Sequence, residues 1–207
     1  MDGIENVVNI RLLTESFVTL FVIMDPPGTL PIFLGLTSTM TRTSRIRAAR
    51  QAVLVAFIVI VVFAVFGQRI LDYLHITLPA LQTAGGLLLL LIALELLMGK
   101  ESDPEAAKDV NVALVPLGTP LMAGPGAIVA TMVFVQRSQG LADYVAVALG
   151  ILLVHVVMYL FLRFAGTIHR VLGTGGVTLV TRIAGLLLSA IAVQLIADAV
   201  RTFINGT

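Results

Sequence analysis

Met24-Asp25-Pro26-Pro27-Gly28-Thr29-Leu30 interrupts a run of apolar residues that otherwise reads as one membrane helix. About 98 residues later Met122-Ala123-Gly124-Pro125-Gly126-Ala127-Ile128 does the same. Proline has no backbone donor and clashes with the preceding turn, and glycine tolerates backbone angles that other residues avoid. A Pro-Gly step inside a hydrophobic span therefore predicts a broken helix. Breaks at matching positions in two halves of a chain point to a transporter site near the bilayer midplane.

The rest of the sequence supplies the setting. Of 207 residues, 58% are hydrophobic and 12% charged, and the mean hydropathy is +1.03. Soluble domains carry roughly twice that charged fraction, so the composition is that of an integral membrane protein without room for a separate soluble catalytic domain. With no cysteine, disulfides, thiolate metal sites and cysteine nucleophiles are excluded. Asp2 and Glu5 replace the early basic cluster of a cleavable signal peptide, so the first span is expected to remain in the mature protein.

Crossing about 30 Å of hydrocarbon takes roughly 20 apolar residues. Six spans are expected, at about 8–40 (interrupted from Asp25 to Pro31), 48–66, 79–98, 110–135, 142–164 and 177–203. The polar stretch 99–109 links the first three to the last three, and Gly173-Thr174-Gly175-Gly176 reads as a turn before the sixth. Basic residues favour the side of the connections after the first, third and fifth spans. Arg42, Arg45, Arg47, Arg50, Lys100, Lys108, Arg163, Arg170 and Arg182 lie there, against Arg11, Arg69, Arg137 and Arg201 opposite. The positive-inside bias makes the richer side cytoplasmic and puts both termini outside.

The duplication extends beyond the breaks. Ala84-Gly85-Gly86-Leu87 through Leu97 aligns with Ile183-Ala184-Gly185-Leu186 through Ile196 at an offset of 99. Three spans per copy is an odd number, so the second copy enters the membrane from the opposite side. The expected fold is all-α, with two inverted three-helix repeats whose first and fourth helices are broken.

Ile23-Met24-Asp25-Pro26-Pro27-Gly28-Thr29-Leu30-Pro31-Ile32-Phe33 resembles the DPxGxxPxF element of the MarC family. Val115-Pro116-Leu117-Gly118-Thr119-Pro120 through Ile128 resembles its second element, PLxxPxxxGPGxI. Length, span number and the Gly-Gly-Leu third span agree, so the resemblance covers nearly the whole chain. It implies a multi-pass protein of the bacterial or archaeal inner membrane, related to lysine-exporter-like permeases and named after a multiple-antibiotic-resistance locus. Some relatives resemble proton-driven transporters of glycine and alanine. Pro27 departs from the leucine often found there and should stiffen the break.

A small zwitterion in a low-dielectric site needs donors for its carboxylate and acceptors for its ammonium. A broken helix offers free amides at one end and free carbonyls at the other. Asp25, Pro26, Gly28, Thr29, Gly124, Pro125 and Gly126 are the candidate substrate-binding residues. The half-helix N-termini near Thr29 and Gly126 are candidates for an anionic group, and Asp25 for an ammonium or a transported proton. The small glycines would let a compact ligand reach the backbone. A plain kink with close helix packing is the alternative reading of the same residues.

Intramembrane ionisable groups are functional suspects, costing roughly 2.5–3.5 kcal/mol at the bilayer centre. Glu95 and His155 join Asp25 as proton-coupling candidates, against an interfacial place for Glu95 and a hydrogen-bonded core place for His155. Gln194 is the repeat mate of Glu95, and Asp198 reads as interfacial. Thr29, Thr119 and Thr131 offer hydroxyls that could equally satisfy their own helices. The arginine cluster suits anionic lipid headgroups and suggests no nucleic-acid role. His75, His155 and His169 fall at different depths, so no metal site is expected, and no cofactor is implied. The motifs of phosphate loops, zinc proteases and nucleophile elbows are missing. A small-molecule substrate and the lipid bilayer are the expected partners. A secondary transporter leads, ahead of an exporter of another solute, drug or ion, an intramembrane aspartyl hydrolase, and a non-transporting membrane protein.

Overall fold

The computed structural model describes residues 8–98 and 122–205. The linker 99–109 and the start of the fourth span, with Pro116, Thr119 and Pro120, lie outside the described residues. Seven helices make up the described chain: α1 (Ile10–Met24), α2 (Pro26–Leu36), α3 (Arg42–Leu74), α4 (Leu78–Met98), α5 (Pro125–Arg137), α6 (Leu141–Arg163) and α7 (Ala165–Asn205). Counting α1 and α2 as one, five are long and apolar enough to cross a membrane. α5 starts within the expected fourth span, 110–135, and runs two residues past it.

Two helix limits differ from the sequence reading. α3 runs well beyond 48–66 at both ends, because hydropathy marks the lipid-facing stretch whereas hydrogen bonding lets a helix continue into water. Its first turns hold Arg42, Arg45, Arg47 and Arg50. Arg45 reaches back to donate from Nη2 to the Thr37 carbonyl at 3.1 Å, satisfying a group that the end of α2 leaves open. The glycines before the sixth span make no loop: helix continues on both sides of Gly173, the one residue with non-helical angles (φ 64, ψ 174). A positive φ is open to glycine without steric penalty, so a single residue bends the chain.

Contacts along the helices fix their directions. Asn9 donates from Nδ2 to Asp143 Oδ1 at 2.9 Å, and a Cβ on Gly150 would meet Ser16 Oγ at 2.3 Å. Both members advance together, so α1 and α6 run parallel. α4 and α7 form the most extensive helix pair and run antiparallel. A Cβ on Gly86 would lie 2.9 Å from the Ala192 carbonyl oxygen, and one on Gly185 would lie 3.3 Å from that of Ala93. Small residues let backbones approach this closely, which is how helices pack where lipid offers no hydrophobic drive to associate.

Two buried clusters result. One, with Leu20, Met24, Leu30, Phe33, Ile60 and Met158, joins α1, α2, α3 and α6 to α5. The other, with Leu89, Ala93, Val129, Leu188, Ala192 and Leu195, joins α4, α5 and α7. Outward faces are equally apolar: Leu54, Val65, Leu91, Leu152, Leu186 and Val193 are all exposed. Apolar residues on every side mark helices bounded by lipid.

Candidate functional site

The first break is one residue wide. Asp25 takes left-handed angles (φ 41, ψ 69) and is at once the C-cap of α1 and the N-cap of α2. A residue before proline is pushed out of the right-handed helical region, and aspartate is among the few side chains that visit the left-handed one. Pro26 and Pro27 cannot donate, so the Val22 and Ile23 carbonyls lose their usual helical partners. The Asp25 amide still donates to the Phe21 carbonyl at 3.1 Å, and its own carbonyl accepts from Thr29 N at 3.0 Å. Pro31, expected within the interruption, lies inside α2.

The Asp25 carboxyl is 7% exposed, and its Oδ1 accepts from the Gly28 amide at 3.2 Å. A Cβ on Gly28 would sit 2.0 Å from Asp25 Oδ2 and 3.3 Å from Thr181 Cγ2 of α7. In this conformation the protein's own carboxylate thus occupies the N-terminal position of α2 considered for a ligand anion. Thr29 is buried and spends its hydroxyl on its own helix, donating to the Asp25 carbonyl at 2.9 Å.

At the start of α5, where the second break was expected, Gly124 is extended (φ −66, ψ 166) and caps the helix without a side-chain hydrogen bond, with Pro125 in the first turn. Gly126 is buried, and a Cβ there would meet Leu89 Cδ2 at 2.1 Å. Its smallness serves packing against α4 here.

The proton-coupling candidates are dispersed. His155 is buried in α6, its Nδ1 2.7 Å from the Ile151 carbonyl, its ring edge-on to Phe57 at 5.2 Å. That bond places the proton on Nδ1. His155 Nε2 and Thr131 Oγ1 are buried without hydrogen-bond partners. Glu95 is exposed, on the opposite face of α4 from buried Leu89 and Ala93. Neither Glu95 nor His155 hydrogen-bonds Asp25.

A cavity of about 560 Å³ opens between the start of α4, the end of α5 and the end of α7. Gln82, Gln136, Arg137, Asp198 and Thr202 line it together with apolar Leu78, Pro79, Val133 and Phe203. Asp198 accepts from Gln194 at 2.8 Å and faces Arg137 at 3.5 Å, while Gln136 bonds Gln68 of α3. Gln82 is 5% exposed. Thr181, 8% exposed, holds a hydroxyl without a hydrogen-bond partner. The sequence reading singled out neither residue. The signal was present: each is polar within an apolar helix, and the two are repeat mates at the offset of 99.

Residues 10–204 match the family described as MarC family integral membrane protein. The chain belongs to the MarC family. Among relatives of this MarC protein, a UPF0056 membrane protein of Methanocaldococcus jannaschii is 38% identical over 193 residues, covering 90% of this chain and 94% of the relative. YvbG of Bacillus subtilis, a UPF0056 membrane protein, is 34% identical over 198 residues (91% and 94%). YhcE of Escherichia coli, named likewise, is 31% identical over 200 residues (93% of each). The family thus spans bacteria and archaea. No solved structure matches.

Proposed function

We propose that this MarC-family protein is a secondary transporter of a small polar solute, with small neutral amino acids such as glycine and alanine as substrates and protons as coupling ion. The observation carrying this reading is Asp25: a buried carboxyl at a left-handed corner inside a span, flanked by carbonyls that two prolines deprive of donors. A soluble-side explanation is unavailable to a charge at that place, and a broken helix presents both polarities of backbone to a zwitterion.

The reading includes two inverted repeats. Its support is the α4–α7 contact, in which Gly86 meets Ala192 and Ile196 while Gly185 meets Ala93 and Leu97. Adding 99 to one set of partners gives the other, the reciprocal pattern of a two-fold contact. The positive-inside bias, with both termini outside, makes the Gln82 cavity outward-facing. The substrate-binding set remains Asp25, Pro26, Gly28, Thr29, Gly124, Pro125 and Gly126.

Purified protein in proteoliposomes, given labelled glycine, alanine and a panel of other solutes with and without an imposed pH gradient, tests this. Uptake of glycine or alanine driven by the gradient is expected. Transport of a drug or metal ion instead would move the protein to the exporter reading. An aspartyl hydrolase needs a second carboxyl sharing a proton with Asp25; the hydrogen bond to its Oδ1 comes from the Gly28 amide.

A further inference from the structure

The two halves of the molecule are not set in the same register. On one side α5 lies antiparallel to α4: Gly126 abuts Leu89, Gly85 abuts Val129, and Gln82 and Val133 line the same cavity. Applying the repeat offsets, Gly28 of α2 should abut Leu188 of α7, and Gly35 should lie by Thr181. Instead Gly28 abuts Thr181, and a Cβ on Gly35 meets nothing within 4 Å. Thr181 and Leu188 lie seven positions apart, two helical turns or about 10 Å along the axis.

Helix directions make this a difference of register. The span that α1 and α2 form together starts at the end where Asn9 meets Ala142, and α7 finishes at that end, where Asp198 meets Arg137, so α2 and α7 are antiparallel. Both mates are buried, but their neighbours differ. Gln82 sits two turns from Gly126 and borders the open cavity. Thr181 is drawn against the break at Gly28, and its hydroxyl is buried and unpaired there.

We propose that Gln82 and Thr181 are paired substrate-path residues that border an open cavity in turn, and that the exchange is a two-turn slide of α7 along α2. The slide is coupled to the reverse slide of α5 along α4. In the other state Thr181 lies beside Gly35 and borders a cavity at the opposite end, Leu188 covers Gly28, and Gln82 is drawn against Gly126. The inference rests on the transporter reading for its purpose, but not for its test.

The chain has no cysteine, so engineered pairs report without background. In the present register a Cβ on Gly85 lies 3.1 Å from Val129 Cβ, and G85C/V129C should form a disulfide on mild oxidation. G35C/T181C cannot bridge in this register, since cysteines more than about 7 Å apart at Cα do not join; it should bridge as the slide occurs. Combining the pairs and closing 85–129 first should slow the 35–181 bond by at least about tenfold, as expected when one lock removes the competent population. T181C alone, the mildest change, should react with an impermeant maleimide from the end opposite to Q82C. No 35–181 bond together with no T181C labelling overturns the slide, even where uptake is intact. A bond that forms as fast with 85–129 closed overturns the coupling. Absence of uptake for every solute, with the 35–181 bond forming, would leave the slide standing and remove the transporter reading.

Discussion

Asp25 and Gly28 share one volume: Oδ1 of the carboxyl accepts the Gly28 amide at 3.2 Å, and Oδ2 stands 2.0 Å from where a Gly28 side chain would begin. The glycine is small because the carboxylate folds over it. Gly28→Ala should therefore lower stability by about 1–3 kcal/mol through overpacking, read as a fall in the thermal unfolding midpoint in detergent. Removing the carboxylate at the same time, in Asp25→Gly/Gly28→Ala, should recover most of that loss, because glycine also accepts the left-handed corner. Additive losses would show that the crowding lies elsewhere.

Asp25→Asn keeps both the cap and the tolerance for positive φ. Its unfolding midpoint should match wild type within a degree or two, about the shift a few tenths of a kcal/mol produce, while gradient-driven uptake is lost. Asp25→Ala should lose uptake and also about 1 kcal/mol of stability with the cap. Full uptake by Asp25→Asn would take the carboxyl out of the mechanism.

Gly86 and Gly185 meet backbone oxygens that cannot rotate away, at 2.9 Å and 3.3 Å from a would-be Cβ. Gly86→Ala should destabilise by about 1–3 kcal/mol and Gly185→Ala by less. Reversal of that order in thermal unfolding would contradict the packing of α4 on α7.

Glu95 drew attention as a charge in an apolar helix, yet it is exposed on α4. Glu95→Gln should leave uptake rates and their pH profile within about twofold of wild type, as surface changes away from a site usually do. A lost pH response would place Glu95 on the proton path.

The break at Asp25 was legible because proline and glycine act locally, whatever surrounds them. The facing of helices was not. In a soluble helix polar residues mark the outside, but lipid is as apolar as a core, so the leucines of α4 surround the helix without saying which meet protein. Glu95 therefore stood out by charge and Gln82 did not, although Gln82 is the one turned inward. The left-handed geometry at Asp25 was equally hidden: two prolines announce an interruption, while its width depends on whether the preceding residue can absorb the whole bend. The limits of α3 were missed because hydropathy reports the lipid and says nothing of the helix beyond it.

The corner at Asp25 also restricts what mutation can do there. Aspartate, asparagine and glycine tolerate its dihedral angles with the least strain, and aspartate alone among them is acidic. A saturation library screened only for membrane expression should keep those three, and a library screened for growth on an imported solute should keep one. The genetic code reaches asparagine and glycine from aspartate by single-base changes, so silent-looking loss of activity without loss of protein is the lesion to expect at this codon.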